Sequence, residues 1–321
     1  MLSKRLTRAM VIMVTLVVLI TMNSGIGAAK KRVIGFIPMT LNNEFFIVMC
    51  NAAKMEAEQL GVDILVQAGQ RHASTEEQLQ IIENMIIRKV DAICIVPASP
   101  VGLMPALKKA EAAGIPVINV DTEFDADLVS KSGLKPIPFV GTDNYAAARL
   151  AGEYAVKLLG GKGRVAILTG LAGQQSGVDR RNGFYDVVKG KLDVVAEQTA
   201  NWEIEQGYNV CQNILQAHRD LALVFACNDN MALGALRAIK EARRDVKVIG
   251  FDGIPEALKS VAEGGLTATI AQRPTEMRRQ AVRLAVDMLN GKTVPKDTRV
   301  GAAVITVENA REFAKSLEKY K

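Results

Sequence analysis

Ten short apolar runs, each followed by a stretch of helical periodicity, recur from Lys31 nearly to the end of the chain, and this alternation restricts the fold more than anything else in the sequence. The runs cover residues 33–37, 63–66, 92–96, 116–120, 139–140, 165–168, 194–196, 223–226, 246–249 and 267–270. Strands apolar on both faces belong in parallel sheets with helices on each side. Between the first two runs, Phe46, Met49, Ala53, Ala57 and Leu60 recur at intervals of three and four, which marks one buried helical face, and Gly61 ends it. Residues 143–159, 230–242 and 274–290 repeat the plan, the last with proline at its start. Ten strands exceed the usual single sheet of five or six. The expected fold is therefore α/β, built as two similar doubly wound parallel-sheet lobes.

Three segments are candidate passages between such lobes. The first is residues 130–140, with Gly133, Pro136 and Pro138, which leads into Gly141-Thr142-Asp143; the second is Gln272-Arg273-Pro274; the third spans 300–303. At the other end of the chain, Lys4, Arg5 and Arg8 precede an apolar run over 9–19 and the small residues Gly27-Ala28-Ala29. This is the pattern of a secretory signal peptide over residues 1–29, since the apolar run is shorter than the ~20 residues that span a bilayer. Its removal lowers the formal charge from +6 to +3. No basic cluster interleaved with aromatics appears, so nucleic acid is not expected as a partner.

Cys50, Cys94, Cys211 and Cys227 lie far apart, without CxxC spacing or a nearby histidine pair, so neither metal nor cofactor is expected. Each sits in an apolar pattern and reads as a buried free thiol. The first cysteine lies well beyond the leader, which leaves no lipid acceptor there and points to a soluble periplasmic protein.

Polar side chains stand where the apolar runs stop: Asn42 and Asn43, Asp121, Asn228 and Asp229, Asp252, and Gln272. Each has an alternative role as a helix cap. Their recurrence matters more, because loops at the carboxyl ends of parallel strands form the ligand crevice of open α/β sheets. Carboxylates and amides can each hold two hydroxyls, so a ring of them suits a sugar or polyol. Phe45 lies off the helical stripe and is a pocket candidate, Phe46 lies on it and is equally a core candidate, and Trp202 sits in a polar context unusual for a packed indole. Of Arg180 and Arg181, one is expected to aim its guanidinium at ligand hydroxyls and the other to be solvated. The glycine-bearing loop 170–177 lacks phosphate-cradle spacing. His72 and His218 read as surface residues, and neither GxSxG nor HExxH is present, so no enzyme is expected.

Several strings resemble the periplasmic sugar-binding proteins of ABC importers, most closely the ribose-binding group, which is related to the ligand domains of LacI-type repressors. They are Leu41-Asn42-Asn43-Glu44-Phe45-Phe46, Arg180-Arg181-Asn182-Gly183-Phe184, the stretch from Phe225-Ala226-Cys227-Asn228-Asp229 to Gly234-Ala235, Gly250-Phe251-Asp252-Gly253, and Ala268-Thr269-Ile270-Ala271-Gln272. The resemblance implies that Asn43, Asp121, Arg180, Asn228, Asp252 and Gln272 hydrogen-bond a sugar, with Phe45, Phe46 and Trp202 against its faces. It also implies a three-segment hinge near Thr142-Asp143, Gln272-Arg273 and Gly301. The lobes would then comprise residues 30–142 with 273–301, and 143–272 with 302–321.

The expected partners are an ABC transporter permease and, further, a chemoreceptor, with the chain itself a monomer. One position departs from the pattern: the ribose binders carry an arginine after the strand-end aspartate, where this chain has Thr122. A short hydroxyl in place of a planar cation makes a hexose, another pentose or a sugar alcohol as plausible as ribose. The competing readings are a receptor for a sugar-like signal such as an autoinducer, an exported sugar-modifying enzyme using Asp121 with Asp252, and a transcription regulator, for which no helix-turn-helix is seen.

Overall fold

A computed structural model describes residues 30–318; the expected signal peptide lies outside these residues. The first half runs β1 (Val33–Ile37), α1 (Glu44–Leu60), β2 (Asp63–Val66), α2 (Thr75–Ile87), β3 (Ala92–Ile95), α3 (Met104–Ala112), β4 (Val117–Val120), α4 (Ala126–Lys131) and β5 (Phe139–Thr142). The second runs α5 (Asn144–Leu158), β6 (Arg164–Thr169), α6 (Gln175–Val188), β7 (Asp193–Thr199), α7 (Ile204–Ala217), β8 (Leu221–Ala226), α8 (Asp229–Glu241), β9 (Lys247–Asp252), α9 (Pro255–Ala262) and β10 (Ala268–Ala271). The chain closes with α10 (Pro274–Leu289), β11 (Asp297–Val300), β12 (Ala303–Ile305) and α11 (Ala310–Leu317).

Two six-stranded sheets result, ordered β11-β5-β4-β3-β1-β2 and β12-β10-β9-β8-β6-β7. Each places its first strand inside and its second at an edge, the order of a doubly wound unit with a switch point beside the first strand. Every pairing is parallel except β12 with β10, which is antiparallel. The two parallel-sheet lobes expected from sequence are present, and this edge strand, which is not among the expected runs, is an addition to them. Strand β11 runs toward the cleft in the first sheet, and after two residues β12 enters the second sheet from the cleft side, so it runs against the strands of that sheet, which point toward the cleft.

The polypeptide passes from one sheet to the other three times: between β5 and α5, between β10 and α10, and between β11 and β12. Helix α10 therefore follows a strand of the second sheet but packs on α1 and the first sheet. Its Arg278 is fully buried there, donating from Nη1 to the carbonyls of Val48 at 2.7 Å and Met49 at 2.6 Å. Central strands such as β3, β4, β5 and β10 are buried along their whole length, as helices on both faces require. In the second lobe α7 and α8 approach so closely that a Cβ at Gly207 would lie 2.5 Å from the Met231 carbonyl. All four cysteines are free and buried, and burial pushes each thiol up to about 12, so none is a thiolate at neutral pH.

Candidate functional site

The carboxyl ends of the two sheets face a single narrow cavity of about 30 Å³ between the lobes, placed where open α/β sheets bind small ligands. All ten residues expected from sequence line it: Asn43, Phe45, Phe46, Asp121, Thr122, Arg180, Trp202, Asn228, Asp252 and Gln272. Met39, His72, Gln174 and Ser176 line it as well.

The amides do two jobs. Asn43 Oδ1 accepts from the Phe45 backbone N–H at 2.9 Å and caps α1; Asn228 Oδ1 accepts from the Met231 N–H at 2.9 Å and caps α8. Capping fixes the oxygen and so turns each Nδ2 donor away from the helix. Asn228 Nδ2 donates to the Trp202 carbonyl at 3.2 Å, and Asn43 Nδ2 stands 3.5 Å from His72 Nε2. Asn42 and Asp229, which also follow strands, lie outside the cavity lining. Asn42 is exposed and donates to the Gln70 carbonyl. Asp229 is fully buried and accepts from the N–H groups of Gly253 and Ile254 and from the Thr269 hydroxyl, which braces the loop that carries Asp252.

The backbone itself aims the key groups. Six non-glycine residues among those described have positive φ, and three of them, Asp121 at 65°, Trp202 at 69° and Asp252 at 121°, line the cavity. Such left-handed conformations are sparsely populated and persist where the surroundings hold them, commonly at functional sites.

Charge is concentrated on Arg180, Asp252 and Asp121. Arg180, 4% exposed, donates from Nε to Asn144 Oδ1 at 2.8 Å and from Nη1 to the Cys227 carbonyl at 2.8 Å and to Asp252 Oδ1 at 3.0 Å. Its guanidinium lies 4.0 Å above the Phe251 ring. The same Asp252 oxygen accepts from Gln272 Nε2 at 2.7 Å, and Gln272 Oε1 accepts from the Thr142 hydroxyl at 2.6 Å. The side chains at the first two crossings are thus wired to the central carboxylate. Arg181, by contrast, faces away and grips Glu197.

Asp121 is the group of this charged trio with an unpaired atom. Its Oδ2 accepts from the Thr122 hydroxyl at 3.3 Å, but its Oδ1 is buried with no hydrogen-bond partner. Burial raises its carboxyl to about 6, with nearby Arg180 pulling it down and Asp252 pushing it up. Burial likewise raises Asp252, against the opposing pull of Arg180. Thr122 stays at the cavity wall, whereas Glu123 leaves it to pair with Arg299 at 2.6 Å on β11.

Aromatic faces complete the walls. Phe45 and Phe46 pack edge to face at 5.3 Å, and both line the cavity while belonging to the hydrophobic core, so Phe46 occupies both of the places left open for it. Trp202 lies opposite, on the second lobe, with Nε1 donating to Gln174 Oε1 at 2.7 Å. The glycine loop after β6 is its bed: a Cβ at Gly170 would fall 1.9 Å from the indole. That explains glycines without phosphate-cradle spacing.

Bonds across the cleft hold the lobes together. Gln174 Nε2 donates to the Ala98 carbonyl at 3.0 Å, the Glu256 N–H donates to Glu44 Oε2 at 3.1 Å, and His72 Nδ1 meets Glu203 Oε1 at 3.2 Å. His72 is 6% exposed, so its expected surface role is corrected; the polar stretch around it reflects the cleft rim rather than open solvent. Sequence reasoning missed Met39, His72, Gln174 and Ser176, none of which directly ends an apolar run. The only signal for Gln174 was its place in the glycine loop.

Residues 34–293 match the model of the periplasmic binding protein domain family, to which this chain therefore belongs. Ribose import binding protein RbsB of Bacillus subtilis is 35% identical over 273 residues, 85% of this chain and 87% of that protein. Among solved structures, an ABC transporter periplasmic solute binding protein from Actinobacillus succinogenes with bound D-allose superposes with a TM-score of 0.84 at 37% identity. The match covers 88% of this chain and all of that one. An ABC transporter solute binding protein from Bacillus halodurans with bound myo-inositol gives a TM-score of 0.79 at 30% identity, covering 90% and 99%.

Proposed function

We propose that this chain is a solute-binding protein of an ABC importer that captures a monosaccharide or polyol between its lobes and presents the closed form to a membrane permease. The observation that carries the reading is the partnerless Oδ1 of Asp121, buried among hydrogen-bonding amides and carboxylates and between aromatic walls. An unsatisfied buried carboxylate oxygen is costly, and a ligand hydroxyl removes the cost. Arg180, Asn43, Asn228 and Gln272 supply donors, Asp121 and Asp252 supply acceptors, and Phe45, Phe46 and Trp202 cover apolar ring faces. The three crossings act as the hinge, because residues from both lobes complete the ring only when the cleft is shut.

Thr122 puts a short hydroxyl next to Asp121 in place of the arginine of the ribose binders, so a hexose, another pentose or a sugar alcohol suits the cleft as well as ribose. The relatives' ligands, ribose, D-allose and myo-inositol, belong to this chemical class. A binder rather than an enzyme fits Asp252, whose Oδ1 already accepts from both Arg180 and Gln272. Secretion to the periplasm through the leader at residues 1–29, and action as a monomer, complete the proposal.

The test is a melting-temperature screen of the purified chain against D-ribose, D-allose, D-galactose and myo-inositol. A ligand of the folded state raises the midpoint in proportion to the logarithm of its concentration above Kd. At least one of these is expected to do so, with a change in the emission of Trp202, the single tryptophan. A midpoint that no sugar moves contradicts the proposal.

A further inference from the structure

We infer that His72 is a further sugar-contacting, specificity-determining side chain of this cleft, and that Glu203 of the facing lobe is the residue that positions it. The inference rests on the sugar-binding reading above. Its starting point is the cap of α1. Because Asn43 Oδ1 accepts the Phe45 N–H at 2.9 Å, the amide is fixed with its Nδ2 donor toward His72 Nε2, 3.5 Å away. A donor facing Nε2 matches a lone pair there, and in the neutral form of the ring that geometry puts the proton on Nδ1. Nδ1 lies 3.2 Å from Glu203 Oε1, an acceptor in the right place. Each group in this chain of four thus dictates the orientation of the next, from helix backbone to amide to imidazole to carboxylate. Bonding to His72 also holds the Glu203 carboxyl below its usual range.

The chain of bonds crosses the cleft. His72 follows β2 in the first lobe, while Glu203 stands beside Trp202 at the start of α7 in the second. Glu203 therefore sets the ring only when the lobes are together, and the same corner then brings in the indole. The ring of His72 lies 6.0 Å from that of Phe46, tilted by 51°, and extends the aromatic wall. Unlike phenylalanine, it has a nitrogen lone pair at the cavity, and because Asn43 Nδ2 meets it only at 3.5 Å, a sugar hydroxyl can replace that long contact, accepting from the amide while it donates to Nε2. That acceptor favours a sugar stereoisomer presenting a hydroxyl proton there over one that does not, since a missing hydroxyl leaves buried polar groups unpaired.

The test uses the full chain with 15N-labelled histidine, in which only His72 and His218 give signals. D-ribose, D-allose, D-galactose and myo-inositol are the probes. With whichever probe raises the melting midpoint, His72 is expected to show the neutral, Nδ1-protonated pattern and to shift on saturation, and Glu203→Ala is expected to abolish that pattern. His72→Ala is expected to melt without sugar within about 2 °C of the parent, a small stability change. It should bind the best probe about tenfold more weakly, roughly 1.4 kcal/mol, and reorder the four probes, with His72→Gln recovering part of the loss. An Nε2-protonated ring, a His72 signal indifferent to a binding sugar, or an unchanged order of preference overturns the inference while leaving the binding reading intact. A parent protein that responds to none of the probes fails that reading instead, and the inference with it.

Discussion

Asp121 shows how much of this site rests on single atoms. Its Oδ1 is buried and partnerless, and its backbone is held in the left-handed region, so the residue is stabilised by what surrounds it rather than by its own bonds. Hydrogen bonds to charged groups contribute about 1.5–3 kcal/mol each. Asp121→Asn keeps the shape but replaces one acceptor by a donor, and is expected to weaken sugar binding by roughly ten- to a hundredfold in calorimetric titration. An unchanged affinity would show that Oδ1 does not meet the ligand. Residues of this kind were legible in the sequence because a carboxylate or amide that interrupts an apolar run has few places to go but the strand end. His72 was not legible. It lies in a polar stretch that sequence alone assigns to solvent, and only the approach of Glu203 from the other lobe reveals it as part of a wall.

Among the elements, the loop between β6 and α6 shows how a local rule is set aside for a site. Gly170 and Gly177 are glycines because the Trp202 ring lies against them, a close approach rather than a special turn. Gly170→Ala places a methyl group inside the indole, so the plate must move. The variant is expected to keep its secondary structure by circular dichroism while losing about tenfold or more in affinity and shifting its tryptophan emission; a variant that binds as the parent does would remove Trp202 from the site.

Strands and helices were largely readable, since apolar runs such as β1 and β2 coincide with the observed limits. The misses lie at sheet edges. Strand β11, Asp-Thr-Arg-Val, is mostly exposed and carries charge, so it lacks the apolar signature of a central strand, and β12 is three residues long. The dual use of Asn43 and Asn228, as caps and as wall, also lay beyond sequence, because a cap engages only one end of the amide.

Across the whole molecule, the same buried acids proposed to bind the ligand oppose closure on an empty cleft. Asp121 has its carboxyl raised from 3.8 to about 6 in the closed arrangement, whereas a water-exposed aspartate stays near the ordinary value. Between those two values the closed form therefore holds more protons than the open form, so falling pH favours empty closure and rising pH through about 6 disfavours it. Asp252, raised in the same direction by burial, steepens the dependence. Small-angle scattering of the sugar-free protein is expected to show a smaller radius of gyration at pH 5 than at pH 8, with Asp121→Asn flattening the difference; a larger radius at pH 5 would reverse the sign of this linkage.

Two lobes, each built on its own sheet, are joined by three short crossings, and Thr142 and Gln272 of the first two connect to the central Asp252, so these crossings and the cavity form one hydrogen-bonded unit. The account as a whole is tested most directly by the crystal structure of this chain with its stabilising sugar. It predicts the sugar ring between Phe45, Phe46 and Trp202, with hydroxyls within hydrogen-bond distance of Asp121 Oδ1, Asp252 and Arg180. A sugar bound outside the cleft, or one that leaves Asp121 Oδ1 without a partner, would contradict it.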